Sequence, residues 1–222
     1  MKRPLLIALA LVATLAFVAL GVWQIERRAW KLDLIARVDA RAHAAPVDAF
    51  RVPGEEYRRV TLTGTYRYDR ESFVQALTER GAGFWVLTPM QTAEGMVLVN
   101  RGFVPGDKQG AGDPHRGADR VEAVTGLLRL SEPGGGFLRA NDPAHDRWYS
   151  RDVAAIASAR GLGPVAPFFV DADATPHRAG YPVGGLTVLR FHNNHLVYAL
   201  TWFGLAGLSG FAAWQLLRRK PA

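Results

Sequence analysis

Two uncharged apolar runs, one near each end of the 222-residue chain, constrain its fold more than anything between them. Leu5 to Trp23 carries only Thr14 among apolar side chains, and at 1.5 Å rise per residue these 19 residues span roughly 28 Å, about one hydrocarbon core. Leu196 to Leu217 has 22 residues, with Thr201, Ser209 and Gln215 as its polar members, and spans roughly 33 Å. Both are long enough to cross a lipid bilayer. A cleaved signal peptide is the alternative for the first run, since Lys2 and Arg3 form a basic start. Its apolar stretch exceeds the usual h-region and passes straight into an amphipathic segment, so a retained anchor is expected. The sequence therefore predicts a membrane protein: transmembrane helices over 5–25 and 196–217, flanking an extramembrane domain of residues 26–195.

Charge orients this arrangement. Lys2 and Arg3 precede the first span, and Arg218, Arg219 and Lys220 follow the second, which places both termini in the cytoplasm. Arg27, Arg28, Lys31, Arg37 and Arg41 follow the first span and argue locally for the opposite, but a long domain escapes the short-loop rule. The main domain is thus expected in the periplasm of a bacterial inner membrane, no Arg- and Ser-rich presequence preceding the first span. Apart from the five terminal cations, 22 Lys and Arg face 20 Asp and Glu, a balanced surface with no basic stripe for nucleic acid. The chain has no cysteine, which excludes disulfides, thiol catalysis and thiolate metal sites.

Between the spans the hydrophobic period changes. Gln24 to Arg41 reads as a helix continuing out of the bilayer, with Trp23 and Trp30 at the interface, and ends before Pro46. Tyr57 to Tyr66, Ser72 to Leu77, Gly83 to Thr88, Met96 to Val99, Val121 to Leu130, Pro167 to Asp171 and Leu186 to Phe191 read as strands. Arg151 to Arg160 reads as a helix with Asp152 at its start. Loops are expected over Gly106 to Gly117, Pro133 to Gly136 and Asp173 to Gly185. The expected domain is α+β, an antiparallel sheet or small barrel with one or two helices.

Catalytic signatures are missing. No serine sits in a Gly-x-Ser-x-Gly elbow, and neither a His-Glu-x-x-His helix nor a Gly-rich phosphate loop occurs. His43, His115, His145 and His177 lie in polar, loop-like contexts, and Asp142/Asp146 and Asp171/Asp173 lie where turns favour Asp. His195 differs, because it stands where polar chain gives way to the second apolar run. Ala199, Trp202, Ala206, Gly210 and Ala213 share its helical face, which below the ring is mostly small. Two readings follow. The small face lets the two spans approach closely, with His195 marking the water boundary beside an Asn193 or Asn194 cap. Alternatively, it forms a shallow groove for a flat macrocycle whose iron takes an axial nitrogen from His195, kept neutral by the helix N-terminus. His192 with His195 as a copper or zinc pair lacks a third ligand nearby.

Five segments occur in a telling order: Gly21-x-Trp23-Gln24-x-x-Arg27 with Trp30-Lys31; Tyr57 to Gly64; Val99-Asn100-Arg101-Gly102-Phe103-Val104-Pro105; Asn141-Asp142 with Trp148-Tyr149 and Asp152; and Asn193-Asn194-His195-Leu196-x-Tyr198-Ala199-x-Thr201-Trp202. Together they resemble the Surfeit locus family of cytochrome c oxidase assembly proteins over nearly the full length, with Phe103 where that family has tryptophan. The resemblance implies a two-span inner-membrane protein that binds haem a through the histidine matching His195 and helps it enter oxidase subunit I. Subunit I, the haem a synthesis enzymes and the lipid bilayer are the implied partners. Tyr198 and Trp202 are candidate contacts to the macrocycle. Arg101 either pairs with a structural carboxylate or meets a propionate or a partner. The protein is read as a non-enzymatic assembly chaperone; a scaffold without a haem site and a periplasmic hydrolase are the alternatives.

Overall fold

The computed structural model describes residues 2–108, 121–174, 180–189 and 191–218. His115, His177, Arg219, Lys220 and parts of two expected loops lie outside them. The chain divides into two units, Met1–Arg37 with Arg190–Ala222, and Val38–Leu189.

The first unit pairs two long helices. Helix α1 (Lys2–His43) joins the first apolar run and the amphipathic segment without a break, and the second run forms a helix that begins at His195 and ends at Arg218. Both are long and apolar enough to cross a membrane, with mean hydropathies of 2.8 and 1.5 over an 18-residue stretch of each. Their apolar side chains are largely uncovered, Leu5 and Leu15 each being 71% exposed, which is the opposite of a core helix in a soluble globule. The polar members of the runs are silenced locally. Thr14 donates to Ala10 O, Thr201 to Val197 O and Ser209 to Leu205 O, so each hydroxyl is satisfied one turn back.

The helices run antiparallel. Arg3 donates to Leu216 O at 3.1 and 2.7 Å, supplying a cation to carbonyls that the helix end leaves unbonded. Further along, Phe17 stacks on Trp202 with centroids 5.6 Å apart, and Gly21 faces the Phe203 ring. A Cβ at Gly21 would lie 2.5 Å from Phe203 Cε1, so this close approach needs the missing side chain. Gly21→Val is therefore expected to separate the pair, read as lost disulfide cross-linking between cysteines introduced at Thr14 and Gly210. Unchanged cross-linking would show that Phe203 simply turns aside.

The second unit is a seven-stranded sheet that closes on itself. Its strands are β1 (Val47–Asp48), β2 (Arg59–Tyr66), β3 (Ser72–Thr78), β4 (Gly81–Thr92), β5 (Met96–Pro105), β6 (Val121–Leu130) and β7 (Val165–Ala172). The order is β1-β2-β6-β7-β5-β4-β3, and Gly64–Tyr66 of β2 also pair with Met90–Thr92 of β4. Five strands thus form a barrel, with β1 and β3 attached. Closure removes the open edges that would otherwise invite pairing with other chains. Most pairings are antiparallel as expected, but β1 runs parallel to β2 and, within the barrel, β5 runs parallel to β7. The chain between them contains β6 and helix α2 (Val153–Arg160), long enough for a crossover.

Strand β5 extends well past the expected Val99. Gly102 lies inside it, and Asn100 sits on the ladder opposite Asp171 while its Oδ1 accepts from Gly102 N at 3.1 Å. Both faces of β5 are covered, which explains its continuous apolar pattern. Val97 and Val99 join Val60, Leu62, Met90, Leu128, Phe168 and Val170 in one core. Leu98 points the other way, into a second core with Trp148, Val153, Ile156 and Phe169. Helix α2 supplies that second core, held by an Asp152 cap on Ala155 N and by Gly161 in the left-handed conformation at its end. Phe103 is fully buried and meets Trp85 edge-on at 6.0 Å.

One expected strand is not formed among the described residues: of Leu186 to Phe191, residues 186–189 and Phe191 make no ladder. Gly185 N bonds to Ala172 O and Thr187 Oγ1 to Asp171, so the segment is held by single contacts from a turn with positive φ at Gly185.

Two tyrosines line the first core beside Arg101. Burial raises both hydroxyls, the Arg101 charge partly opposes it, and Tyr68 is pushed up to about 12. A raised folded value means that this contribution is complete below the ordinary tyrosine value of 10.0 and is lost as pH rises through about 12. Melting temperature should therefore fall across that window, and less steeply in Tyr68→Phe; equal slopes would remove Tyr68 as the cause.

Candidate functional site

The second long helix, α3 (His195–Arg218), starts where apolar sequence starts, and its first residue is the histidine singled out above. Asn193 Oδ1 accepts from His195 N at 3.3 Å, and Tyr198 N bonds to Asn194 O at 3.2 Å, so the asparagine pair caps the helix as expected. The ring is part-buried, and its Nδ1 lies 2.7 Å from Oε1 of Gln24, a 9% exposed residue of α1. A carbonyl oxygen can only accept, so in this contact Nδ1 is the donor, which for a neutral ring leaves the lone pair on Nε2. Beside the ring, Asn193 Nδ2 is inaccessible to solvent and lacks a hydrogen-bond partner, the sole such buried side-chain atom among the described residues. A buried amide donor without a partner is costly unless something supplies an acceptor.

The remaining expected site residues fall in three different settings. Tyr198 is 55% exposed on α3, one turn from the ring. Trp202 lies in the helix pair, stacked on Phe17. Arg101 lies in the other unit, 5% exposed, with Nη1 3.1 Å from Glu71 Oε1. It also sits 4.9 Å from the Tyr68 ring centroid and 5.2 Å from that of Tyr66. That is the structural-carboxylate arrangement, with Thr88 donating to the same glutamate oxygen.

The small face of α3 is not an open groove. Ala199, Ala206 and Ala213 are 1%, 6% and 2% exposed, on the same pair of helices that Phe17, Gly21 and Trp202 hold together. Small side chains here serve close helix approach, so this face leaves a flat ligand no groove below His195. The donor set suits a haem iron: one imidazole whose Nδ1 is taken by Gln24 and whose Nε2 remains as the metal-binding nitrogen.

The sheet unit contains a polar centre that sequence reading did not assemble. Asp171, the last residue of the strand expected over Pro167 to Asp171, lies in β7 at 5% exposure, so the turn context also considered for it does not hold. It accepts from Asn100 Nδ2 at 2.7 Å, Arg129 Nη1 at 3.2 Å, Arg151 Nη1 at 3.1 Å and Thr187 Oγ1 at 3.0 Å. Arg151 also pairs with Glu132 at 2.5 Å and Arg129 with Glu56 at 3.2 Å. Burial alone would raise Glu132, but its bond to Arg151 and the charges of Arg151 and Arg129 hold it below the usual glutamate range. A cavity of about 270 Å³ opens beside these groups, lined by Tyr57, Trp85 and Thr187 among others. With both guanidiniums matched to carboxylates, this centre is built to join strands rather than to hold an anion.

Comparison with known proteins places the whole chain. A family model described as SURF1 family matches residues 11–207. Surfeit locus protein 1 of Mus musculus is 34% identical over 96% of this chain and 76% of its own length. The Gallus gallus protein of the same name is 36% identical over 96% and 75%. A SURF1-like protein of Monosiga brevicollis is 36% identical over 90% and 83%.

Proposed function

Because this chain belongs to the SURF1 family, we propose that it is a membrane-anchored assembly factor for cytochrome c oxidase, binding haem a at His195 and assisting its insertion into subunit I. The observation that carries the haem reading is the His195 ring itself, tethered through Nδ1 to Gln24, which leaves Nε2 as the nitrogen for a metal. Haem, as cargo, supplies an iron that takes an imidazole nitrogen and a macrocycle that prefers apolar surroundings. Everything else falls to the chain's own residues. His195 offers the nitrogen, exposed Tyr198 offers a flat apolar surface beside it, and Trp202 on Phe17 braces the helix beneath. Asn193 Nδ2 offers a donor to an acceptor group on the cargo. Affinity has to be modest, since a carrier must release what it carries.

The two apolar helices anchor the protein in a bacterial inner membrane with both termini cytoplasmic, and the barrel unit, on the periplasmic side, docks subunit I or the haem a synthesis enzymes. Arg101, occupied by Glu71, supports the barrel in this reading. No reaction is assigned to the protein. A scaffold without a haem site is the second reading, and the buried Ala199, Ala206 and Ala213 face favours it.

The test is a spectrum. Protein purified from haem-a-producing cells should show a haem absorbance that His195→Ala abolishes, while the variant keeps its barrel melting temperature. An absorbance persisting unchanged in the variant would contradict the ligand, and its absence from the wild type would favour the scaffold. Reporter fusions after Leu130 and at Ala222 should fall on opposite sides of the membrane.

A further inference from the structure

We propose that Gln24 is the positioning residue for His195: its side-chain carbonyl selects the tautomer that leaves Nε2 free to bind iron, and fixes the plane of the ring. A neutral imidazole has two tautomers, and water does not force the one a ligand needs. Metal-binding histidines are set by what the other nitrogen donates to, often a carboxylate or a carbonyl. Here the acceptor is 2.7 Å away, at the ring nitrogen nearer the backbone. Gln24 is 9% exposed and sits on α1, while the histidine is the first residue of α3, 171 positions later. The ring is therefore not oriented by its own helix alone. Pairing of the two helices and preparation of the ligand are one event.

The residue type matters. A carboxylate would accept more strongly, but it would bring a charge to the end of an apolar run, where ionised side chains are costly. An amide carbonyl supplies the acceptor without net charge. Gln24 follows Trp23 directly, at the point where the first apolar run meets polar sequence, and the histidine stands at the corresponding point of the second. The antiparallel pairing that sets Arg3 beside Leu216 and Gly21 beside Phe203 brings these two boundary residues together. The ligand role of His195 belongs to the reading above, on which this inference rests; the tautomer itself can be measured without haem.

Full-length protein labelled with ¹⁵N-histidine and held in lipid nanodiscs without haem provides that measurement, the His195 signals being identified by their loss in His195→Ala. At a pH where the ring is neutral, the wild type should show a protonated Nδ1 and an unprotonated Nε2. Gln24→Leu should shift the ring towards the Nε2–H form, and Gln24→Glu should restore Nδ1–H, with the barrel melting temperature unchanged in both. In a second arm, titrated with haem b, Gln24→Leu should bind about 10–100-fold more weakly than the wild type. Gln24→Glu should bind with a lower midpoint potential than the wild type, because a stronger acceptor makes the imidazole more electron-rich. An Nε2–H ring in the wild type, or a tautomer indifferent to Gln24→Leu, overturns the inference whatever the haem arm gives. The expected tautomer changes together with haem binding that ignores His195 would uphold Gln24 and sink the ligand assignment instead.

Discussion

Asp171→Ala should cost the barrel unit about 3–5 kcal/mol, read as a lowered denaturation midpoint. Asp171 is 5% exposed and accepts from four side chains on four segments: Asn100 on β5, Arg129 on β6, Arg151 before α2, and Thr187 in the irregular stretch after β7. Its removal leaves two largely buried guanidiniums short of a carboxylate and an amide donor without its acceptor. A buried charge left uncompensated costs more than the pair was worth, and a whole domain is stable by only about 5–15 kcal/mol. Asp171→Asn should cost less, since it retains an acceptor for one or two of these donors. Equal denaturation midpoints for wild type and Asp171→Ala would mean that Glu132 and Glu56 alone satisfy the arginines.

Gly102→Ala should be comparably damaging, at about 2–5 kcal/mol of the same unit. Gly102 has φ of +130° in the middle of β5, a conformation closed to L side chains. A Cβ there would stand 2.2 Å from both C and O of Val183, the residue whose backbone exchanges two 2.9 Å hydrogen bonds with Phe103. Strain and overlap therefore coincide, and no side chain is available to move out of the way. The local consequence is release of the Val183 segment, seen as fast amide exchange at Phe103 and Val183 while β6 and β7 stay protected. An alanine variant with native exchange at these two amides would show that β5 can relax there.

Some of this was open to reading in the residues. Apolar runs of 19 and 22 residues without a charge admit few structures, and both form helices. The Asp152 cap and Gly161 end of α2 follow from local chemistry, as does the asparagine cap of α3. Val121–Leu130 was bounded correctly because its pattern is carried by near neighbours. The errors came where distant chain decides. Asn100 and Asp171 become ladder partners only when β5 lies beside β7, a pairing between distant strands that neither local pattern announces. Leu186 to Phe191 has strand-like composition, but among its described residues, 186–189 and Phe191, no neighbour offers it a ladder. The small residues of α3 suit a groove or a helix contact equally, and the presence of α1 settles the use.

Local patterning by itself determined the two long helices, the existence of a β-rich unit between them, and the singular position of His195. These depend on hydrophobic period and capping, which act over a few residues. Only the tertiary structure decided that five strands close into a barrel, that Asp171 gathers Asn100 and two arginines inside it, and that Gln24 meets His195. Each of those joins positions tens to hundreds of residues apart, and no spacing along a chain specifies which distant donor a carbonyl will find.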